Sequence, residues 1–189
     1  MKNKNIVVVG LGPMGRNHVR ILAPNNNVLG CDVKEENHDS SIECYKDMSA
    51  LLSEKDVDVA VIATPGPSHF TIAKKLIESG IDSVIIEKPL ATSVEKCEIL
   101  QDLARTHGTN IIVNHSRRWD KNFVNLAEFV KEGSLGSLAH IHTTFGGGRL
   151  GCMGTHIFDT WCMLTESRPL KVFGSLDSRY KGDHKGRDV

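Results

Sequence analysis

The sequence predicts an α/β fold in which a doubly wound parallel sheet is followed by a partial second α/β domain with an open sheet. Three observations support this. Strand-like and helix-like segments alternate through the first two-thirds of the chain, the strands are short and continuously apolar, and the pattern changes after about residue 119. Continuously apolar strands indicate a sheet that is covered on both faces. We therefore predict two domains, over residues 1–119 and 120–189.

The elements of the first domain follow from periodicity and from signals at helix ends. Strands are short runs rich in β-branched residues, whereas helices repeat apolar residues at helical spacing. Gly80 and Gly108 each follow a helix-like segment, at the position where a left-handed residue ends a helix. The predicted strands cover 5–9, 28–32, 57–63, 83–87 and 109–113, and the predicted helices cover 13–22, 48–52, 68–79 and 93–107.

The second domain is predicted to contain two helices and two strands. Asp120 caps a helix that ends before Gly133, and another helix begins at about Thr155. Alternating apolar residues indicate one strand over 138–145, and a second strand is predicted over 171–176. So small a sheet leaves apolar surface and strand edges uncovered. We therefore expect a fragment, a truncated product or a chain that needs a partner to cover that surface.

Composition argues against several classes of protein. The 23 basic and 23 acidic residues balance, which disfavours a nucleic-acid partner. Fully apolar runs are only a few residues long, whereas a membrane span needs ~20. The opening MKNKN has no signal-peptide pattern, and the five scattered cysteines form no CxxC pair. We therefore expect a reduced, cytoplasmic chain with neither a membrane nor a nucleic-acid partner.

The first predicted strand runs into the sequence GLGPMG, which places Gly10, Gly12 and Gly15 between a strand and a helix. In a dinucleotide-binding Rossmann unit, the first glycine permits a tight turn and the second lets the backbone approach a pyrophosphate. The third lets the helix pack closely on the strand. The N-terminus of the helix then faces the phosphates. Pro13 and Met14 complete the loop, and all five residues are candidate cofactor contacts.

Asp32 ends the second predicted strand, where an acidic residue can hydrogen-bond both ribose hydroxyls of the adenosine. Its negative charge would repel the 2′-phosphate of NADP(H), so NAD(H) is the predicted cofactor and NADP(H) the less favoured one. Lys34 lies nearby and softens that preference. The alternative is a glycine turn that binds no ligand.

Two further loops follow predicted strands, at the edge of the sheet where open α/β proteins bind ligands. The loop ATPGPSHF contributes Thr64, Pro65 and His69 as candidate cofactor contacts, although His69 is equally explained as a helix-start histidine without a chemical role. The loop IIEKPL places Lys88 where a nicotinamide ring would lie. A lysine there can stabilise the alkoxide that develops during hydride transfer. On spacing alone, a surface lysine is the commoner explanation.

Together these segments resemble the glucose–fructose oxidoreductase and inositol dehydrogenase family (Gfo/Idh/MocA). The matching pieces are GLGPMG at 10–15, IATPGPSHF at 62–70, IEKPL at 86–90, NHSRRWD at 114–120 and GGGRLGCMGTHIFD at 146–159. The resemblance covers essentially the whole chain. It implies a Rossmann domain followed by an α/β domain whose open sheet shapes the substrate site and often forms the dimer face. It also implies oxidation or reduction of hydroxyl carbons in sugars, cyclitols and nucleotide sugars.

The resemblance implies roles for individual residues around the EKP segment. Lys88 would contact the reacting hydroxyl as a catalytic and substrate-binding residue, and Glu87 would help to place it near the cofactor ribose. Both residues are also candidate cofactor contacts. The peptide before Pro89 is expected to be cis, as it often is in relatives. Asn114 and Arg117 would line the pocket for nicotinamide and substrate.

The histidine matching His156 is the family's usual acid/base, and an imidazole with a pKa near ~6.5 can take or give a hydroxyl proton. Without the resemblance, His156 is better explained as a buried or capping histidine. Many relatives carry an acidic residue where this chain has Cys152, two positions before Gly154. Cys152 is still a candidate substrate contact, but a thiol cannot replace a carboxylate that binds a sugar hydroxyl.

Three functional hypotheses follow from these residues. The first is a sugar-type NAD-dependent dehydrogenase that forms a homo-oligomer through the second domain if that sheet is completed. The second is a dinucleotide-binding chain without turnover, because the substrate half is incomplete. The third and least favoured is a zinc site, whose possible ligands are His140, His142, Cys152 and His156.

Overall fold

The computed structural model of the protein describes residues 3–144 and 153–175. The chain divides into two compact units, Met1–Asn114 and His115–Val189. The domain boundary predicted after residue 119 falls inside the second unit, just beyond a short turn at Ser116–Arg118.

The first unit is built on a six-stranded sheet with the strand order β3-β2-β1-β4-β5-β6. Every neighbouring pair of strands is parallel, and four helices connect them. This is the doubly wound order of dinucleotide-binding domains, and it confirms the predicted fold class. The strands are β1 (Asn5–Val9), β2 (Asn27–Cys31), β3 (Glu43–Tyr45), β4 (Val59–Ile62), β5 (Ser83–Glu87) and β6 (Asn110–Asn114), and the helices are α1 (Pro13–Leu22), α2 (Met48–Glu54), α3 (Gly66–Glu78) and α4 (Val94–His107).

Both faces of this sheet are buried, as continuously apolar strands predict. Alternate residues of a strand point to opposite faces. Val7 and Val9 of β1 accordingly belong to one buried cluster, while Ile6 and Val8 belong to another that also contains Val19 of α1. The central strands are therefore held by packing on two sides, and their carboxyl ends have fixed positions.

The helix ends of the first unit follow the expected chemistry. The side chain of Ser93 accepts a hydrogen bond from the backbone N–H of Lys96 and so caps α4. Gly80 and Gly108 have φ values of +82° and +70°, in the left-handed region where glycine ends a helix. The bounds of β1, α1 and β5 are those predicted, whereas β3 was not predicted.

The described residues of the second unit, 115–144 and 153–175, form two α-helices, α5 (Lys121–Glu132) and α6 (Thr155–Thr165), close to the predicted bounds. Asp120 caps α5 by accepting from the N–H of Asn122 at 2.8 Å. Residues 138–144 and 171–175 have no regular structure, so the strands predicted there are wrong over these described positions. A strand needs a neighbouring strand to satisfy its backbone hydrogen bonds, and residues 115–144 and 153–175 supply none.

None of the helices in the described part of the chain has the length and apolar character that crossing a bilayer requires.

Candidate cofactor and substrate site

The glycine loop follows β1, whose neighbours β2 and β4 mark the point where the strand order reverses. Gly10 has a φ of +89°, and a Cβ there would lie 2.7 Å from the side chain of Thr64. A Cβ on Gly15 would lie 1.8 Å from the carbonyl oxygen of Gly10, so only glycine lets α1 approach this closely. A Cβ on Gly12 would meet nothing within 4 Å. Packing within the protein thus explains two of the glycines, and Gly12 faces open space at the N-terminus of α1.

Asp32 follows β2 and is held in place by three hydrogen bonds to its carboxylate. The backbone N–H groups of Leu11 and Lys34 donate at 2.7 and 2.9 Å, and the Asn37 amide donates at 3.1 Å. Partial burial opposes ionisation, but these donors outweigh it and hold the pKa of the carboxyl below its usual value. A carboxylate has about four acceptor positions, so about one stays available for a ribose hydroxyl.

Glu87 lies at the end of β5, and its carboxylate forms hydrogen bonds to residues of α1 and β6. Its Oε1 atom accepts from His18 Nε2 of α1 at 3.0 Å and from Asn114 Nδ2 of β6 at 2.8 Å. Only 12% of the Glu87 side chain is exposed. Burial alone would raise its pKa, but the hydrogen bonds from His18 and Asn114, together with the charges of His18 and Lys88, lower it.

Sequence reasoning did not find His18, which lies in the middle of α1. The signal available was its position three residues after Gly15, on a helix face that packs toward the sheet. A polar side chain on such a face usually has a specific partner.

The peptide bond between Lys88 and Pro89 is cis, as expected from the family resemblance.

His69 lies in the first turn of α3 and is 1% exposed. Its Nδ1 atom is 2.7 Å from the carbonyl oxygen of Pro89, and its Nε2 atom is 2.8 Å from the carbonyl oxygen of Thr64. Thr64 also lies within hydrogen-bond distance of Ser68, with 2.8 Å between the two hydroxyl oxygens. The ring of His69 therefore contacts the backbone of two loops, one after β4 and one after β5.

In the second unit, Arg117 contacts two side chains of that unit. Its guanidinium donates to the Thr160 hydroxyl at 3.3 Å and lies over the Phe123 ring at 5.0 Å. Thr160 in turn donates to the backbone carbonyl of His156 at 2.6 Å. The rings of His156 and His115 meet edge to face, with 5.9 Å between centroids.

Arg118, next in the chain, pairs with Asp159 of α6. Its Nε atom donates to both carboxylate oxygens at 2.9 Å, and its terminal nitrogen lies 2.8 Å from one of them. This hydrogen bonding raises the pKa of Arg118. His115 Nδ1 lies 4.0 Å from the same carboxylate, so two side chains of the NHSRRWD segment lie beside Asp159.

The structure brings most predicted residues of the first unit to one edge of the sheet, because the carboxyl ends of parallel strands share an edge. Arg117 and His156 lie in the second unit, and Cys152 lies outside the described residues. The residues that follow or end strands at the shared edge are Gly10, Asp32, Thr64, Glu87 and Asn114, with Gly12, Pro13, Met14, Gly15, Pro65 and Lys88 in the adjoining loops.

No group of three His, Cys, Asp or Glu side chains within 3–144 and 153–175 is arranged to hold a metal ion. His140, His142 and His156 are among those residues, whereas Cys152 is not.

Comparison with known proteins identifies the family of the chain. The GFO_IDH_MocA model, described as "Oxidoreductase family, NAD-binding Rossmann fold", matches residues 4–115. The uncharacterized oxidoreductase YdgJ of Escherichia coli is 35% identical over 95 residues, which cover 50% of this chain and 27% of that protein. The inositol 2-dehydrogenase of Salmonella typhimurium is 27% identical over 149 residues, covering 71% of this chain and 44% of that enzyme. The chain therefore spans less than half the length of these relatives.

Solved structures show the same fold. An NAD-binding protein from Listeria innocua superposes with a TM-score of 0.75 at 26% identity, covering 88% of this chain and 56% of that one. A scyllo-inositol dehydrogenase from Lactobacillus casei, solved with NAD(H) and scyllo-inositol, also has a TM-score of 0.75 at 21% identity, covering 87% of this chain and 57% of that one.

Proposed function

The chain belongs to the Gfo/Idh/MocA oxidoreductase family, and from that premise we propose that it is an NAD(H)-dependent oxidoreductase. It would transfer a hydride between nicotinamide and a hydroxyl or keto carbon of a sugar, cyclitol or nucleotide sugar. The observation that carries this proposal is the meeting of the glycine loop, the fixed carboxylate of Asp32 and the EKP segment at one edge of a parallel sheet.

The glycine loop and Asp32 support NAD(H) as the cofactor. Gly12 is the glycine that internal packing leaves unexplained, and a backbone without a side chain at the N-terminus of α1 fits a pyrophosphate. Asp32 is held ionised and can accept a ribose hydroxyl, but it would oppose a 2′-phosphate. Pro13, Met14, Thr64 and Pro65 would complete the cofactor contacts.

The bound dinucleotide would supply a carbon that accepts or gives a hydride. The ammonium of Lys88 would donate a hydrogen bond to the reacting oxygen and stabilise the alkoxide that develops as the C–H bond breaks. His156 would accept the hydroxyl proton during oxidation and return it during reduction. Glu87, held by His18 and Asn114, would fix the strand end from which Lys88 emerges.

The second unit would supply the remaining substrate contacts. Arg117, Cys152 and His156 are the residues proposed there, with Asn114 at the end of β6. A thiol at Cys152 would leave one sugar hydroxyl without the carboxylate partner that many relatives offer. We also propose a homo-oligomer formed through this unit if its sheet is completed. A cytoplasmic location is proposed as well, which the unpaired Cys31, Cys44, Cys97 and Cys162 favour.

The competing proposal is a chain that binds the dinucleotide without turnover. One observation favours it: the described residues of the second unit form helices but no strand. Both proposals predict NADH binding, and only the first predicts turnover.

Turnover by the wild-type chain separates the two proposals, and paired substitutions of lysines test the role of Lys88. Lys88→Met should lower turnover of myo-inositol and related alcohols by at least about a hundredfold while the Kd for NADH stays within about twofold, since Lys88 acts on the developing alkoxide. Lys74→Met, which changes a surface lysine of α3 that lies near Glu78, is the control. NADH fluorescence titration and absorbance assays give the two readouts. Undiminished turnover in Lys88→Met would remove its catalytic role, and a wild-type chain that binds NADH but oxidises no alcohol would favour the competing proposal.

A further inference from the structure

We infer that His69 is a positioning residue that holds two loops of the site at a fixed separation. The β4 segment (63–68, the loop after β4 with the first residues of α3) would contact the cofactor, and the β5 loop (88–92) carries Lys88. The inference rests on the proposed function, because it assigns His69 the task of aligning the cofactor with that lysine. His69 would not itself touch the cofactor, since its ring is buried and both of its nitrogens contact backbone atoms.

Both nitrogens of the His69 ring face backbone carbonyl oxygens. Both partners, the carbonyl oxygens of Thr64 and Pro89, can only accept. Each contact is therefore a hydrogen bond only when the ring nitrogen facing it carries a proton. Because a carbonyl buried without a donor is costly, losing either contact should release the loop concerned.

Each of the two carbonyls belongs to a segment that packs on another part of the site. Thr64 lies so close to the glycine loop that a Cβ on Gly10 would be 2.7 Å from its methyl group. Pro89 follows Lys88 directly, and a Cβ on Gly66 would be 3.4 Å from the Pro89 ring. A shift of His69 would therefore be transmitted to the glycine loop on one side and to Lys88 on the other.

Two substitutions separate the two contacts. The amide nitrogen of asparagine lies near the position of histidine Nδ1, and that of glutamine can reach the position of Nε2. His69→Asn should therefore keep the contact with Pro89, and His69→Gln should keep the contact with Thr64. Ile77→Val, a small change at a fully buried residue of the same helix, controls for a general loss of stability. The measurements are hydrogen–deuterium exchange of peptides covering each loop, NADH titration and turnover.

The two variants should have opposite effects. In His69→Asn, exchange should rise in 63–68 alone and the Kd for NADH should rise about tenfold. In His69→Gln, exchange should rise in 88–92 alone, the Kd should stay within about twofold and turnover should fall about tenfold. The same change in both variants, or a pattern equal to that of Ile77→Val, would overturn the inference. A wild-type chain without turnover would defeat the proposed activity, while the exchange pattern would still decide the role of His69.

Discussion

The two units of the protein are stabilised by different kinds of contact. In the first unit, fully buried aliphatic residues lie on both faces of a continuous sheet, with Val7 and Ile62 on one face and Val8 on the other. In the second, α5 buries none of its residues and leaves Leu126 and Phe129 more than two-fifths exposed. The clearest internal contacts there are polar, above all the pair of Arg118 and Asp159. Core packing thus fixes the edge of the sheet where the cofactor is proposed to bind. The residues proposed for the substrate in the second unit are held by other contacts: Arg117 by the Thr160 hydroxyl and the Phe123 ring, and His156 by the ring of His115.

This comparison is tested most severely at two glycines that differ in their surroundings. Gly15→Ala places a Cβ 1.8 Å from the Gly10 carbonyl, so α1 must move and NADH binding should be lost together with several kcal/mol of stability. In Gly133→Ala, in the second unit, the added Cβ meets no atom within 4 Å. The expected loss of unfolding free energy is about 1 kcal/mol, because alanine disfavours a φ of +68°. Chemical denaturation and NADH titration measure both. Equal losses in the two variants would contradict the contrast between the units.

Glu87→Gln should produce the next largest effect, because it removes a buried charge that two side chains support. At neutral pH we expect a loss of about 1–3 kcal/mol of unfolding free energy. The pKa of Glu87 is lowered in the folded protein, so its contribution is present above its ordinary value of 4.5 and is lost as the pH falls below that value. The gap between wild type and variant should therefore narrow on acidification.

The matched control for this change is Glu98→Gln, an exposed glutamate on α4. Denaturation of the three proteins at about pH 7 and about pH 4 gives the comparison. A gap that widens in acid would show that Glu87 is not held ionised by His18 and Asn114.

Asp32→Asn keeps the shape of the side chain and removes its charge. It should weaken NADH binding about tenfold and change NADPH binding less, because the neutral amide no longer repels a 2′-phosphate. Parallel titrations with the two cofactors give the ratio. An unchanged ratio would remove the argument for NAD(H) over NADP(H).

Asp159→Asn should have only a small effect on stability, although it disrupts the clearest contact of the second unit. Arg118 is 45% exposed, so water screens the pair and the loss should be about 1 kcal/mol. The Kd for NADH should not change, because the residues proposed for the cofactor belong to the first unit. A marked fall in NADH affinity would contradict the proposal that the cofactor contacts belong to the first unit alone.

The sequence predicted the fold of the first unit well because local signals determine it. Apolar strands, glycine stops and helix caps placed five of the six strands of the sheet. The missed strand, Glu43–Tyr45, is a short edge strand with a charged residue and carries almost no periodic signal. The strands predicted over 138–145 and 171–176 failed where they are described, because an alternating pattern forms a strand only beside a neighbouring strand.

The site was predicted less completely than the fold. The glycine loop and Asp32 could be identified because their spacing has a direct physical meaning. The contact between His18 and Glu87 joins positions 69 residues apart, and no local pattern reports such a contact. The same holds for His69, whose position at a helix start is visible in the sequence, but whose contacts with two loops depend on the packing of α3.

The most direct test of the central claim, that the glycine loop binds the dinucleotide, is NADH titration of Gly12→Ala. The backbone at Gly12 has φ −65° and ψ −171°, which alanine adopts without strain, and a Cβ there meets no protein atom within 4 Å. The melting temperature should therefore stay that of the wild type, while the Kd for NADH should rise at least about tenfold because the methyl group takes the place of the pyrophosphate. An alanine variant that is equally stable and binds NADH as tightly as the wild type would contradict the account.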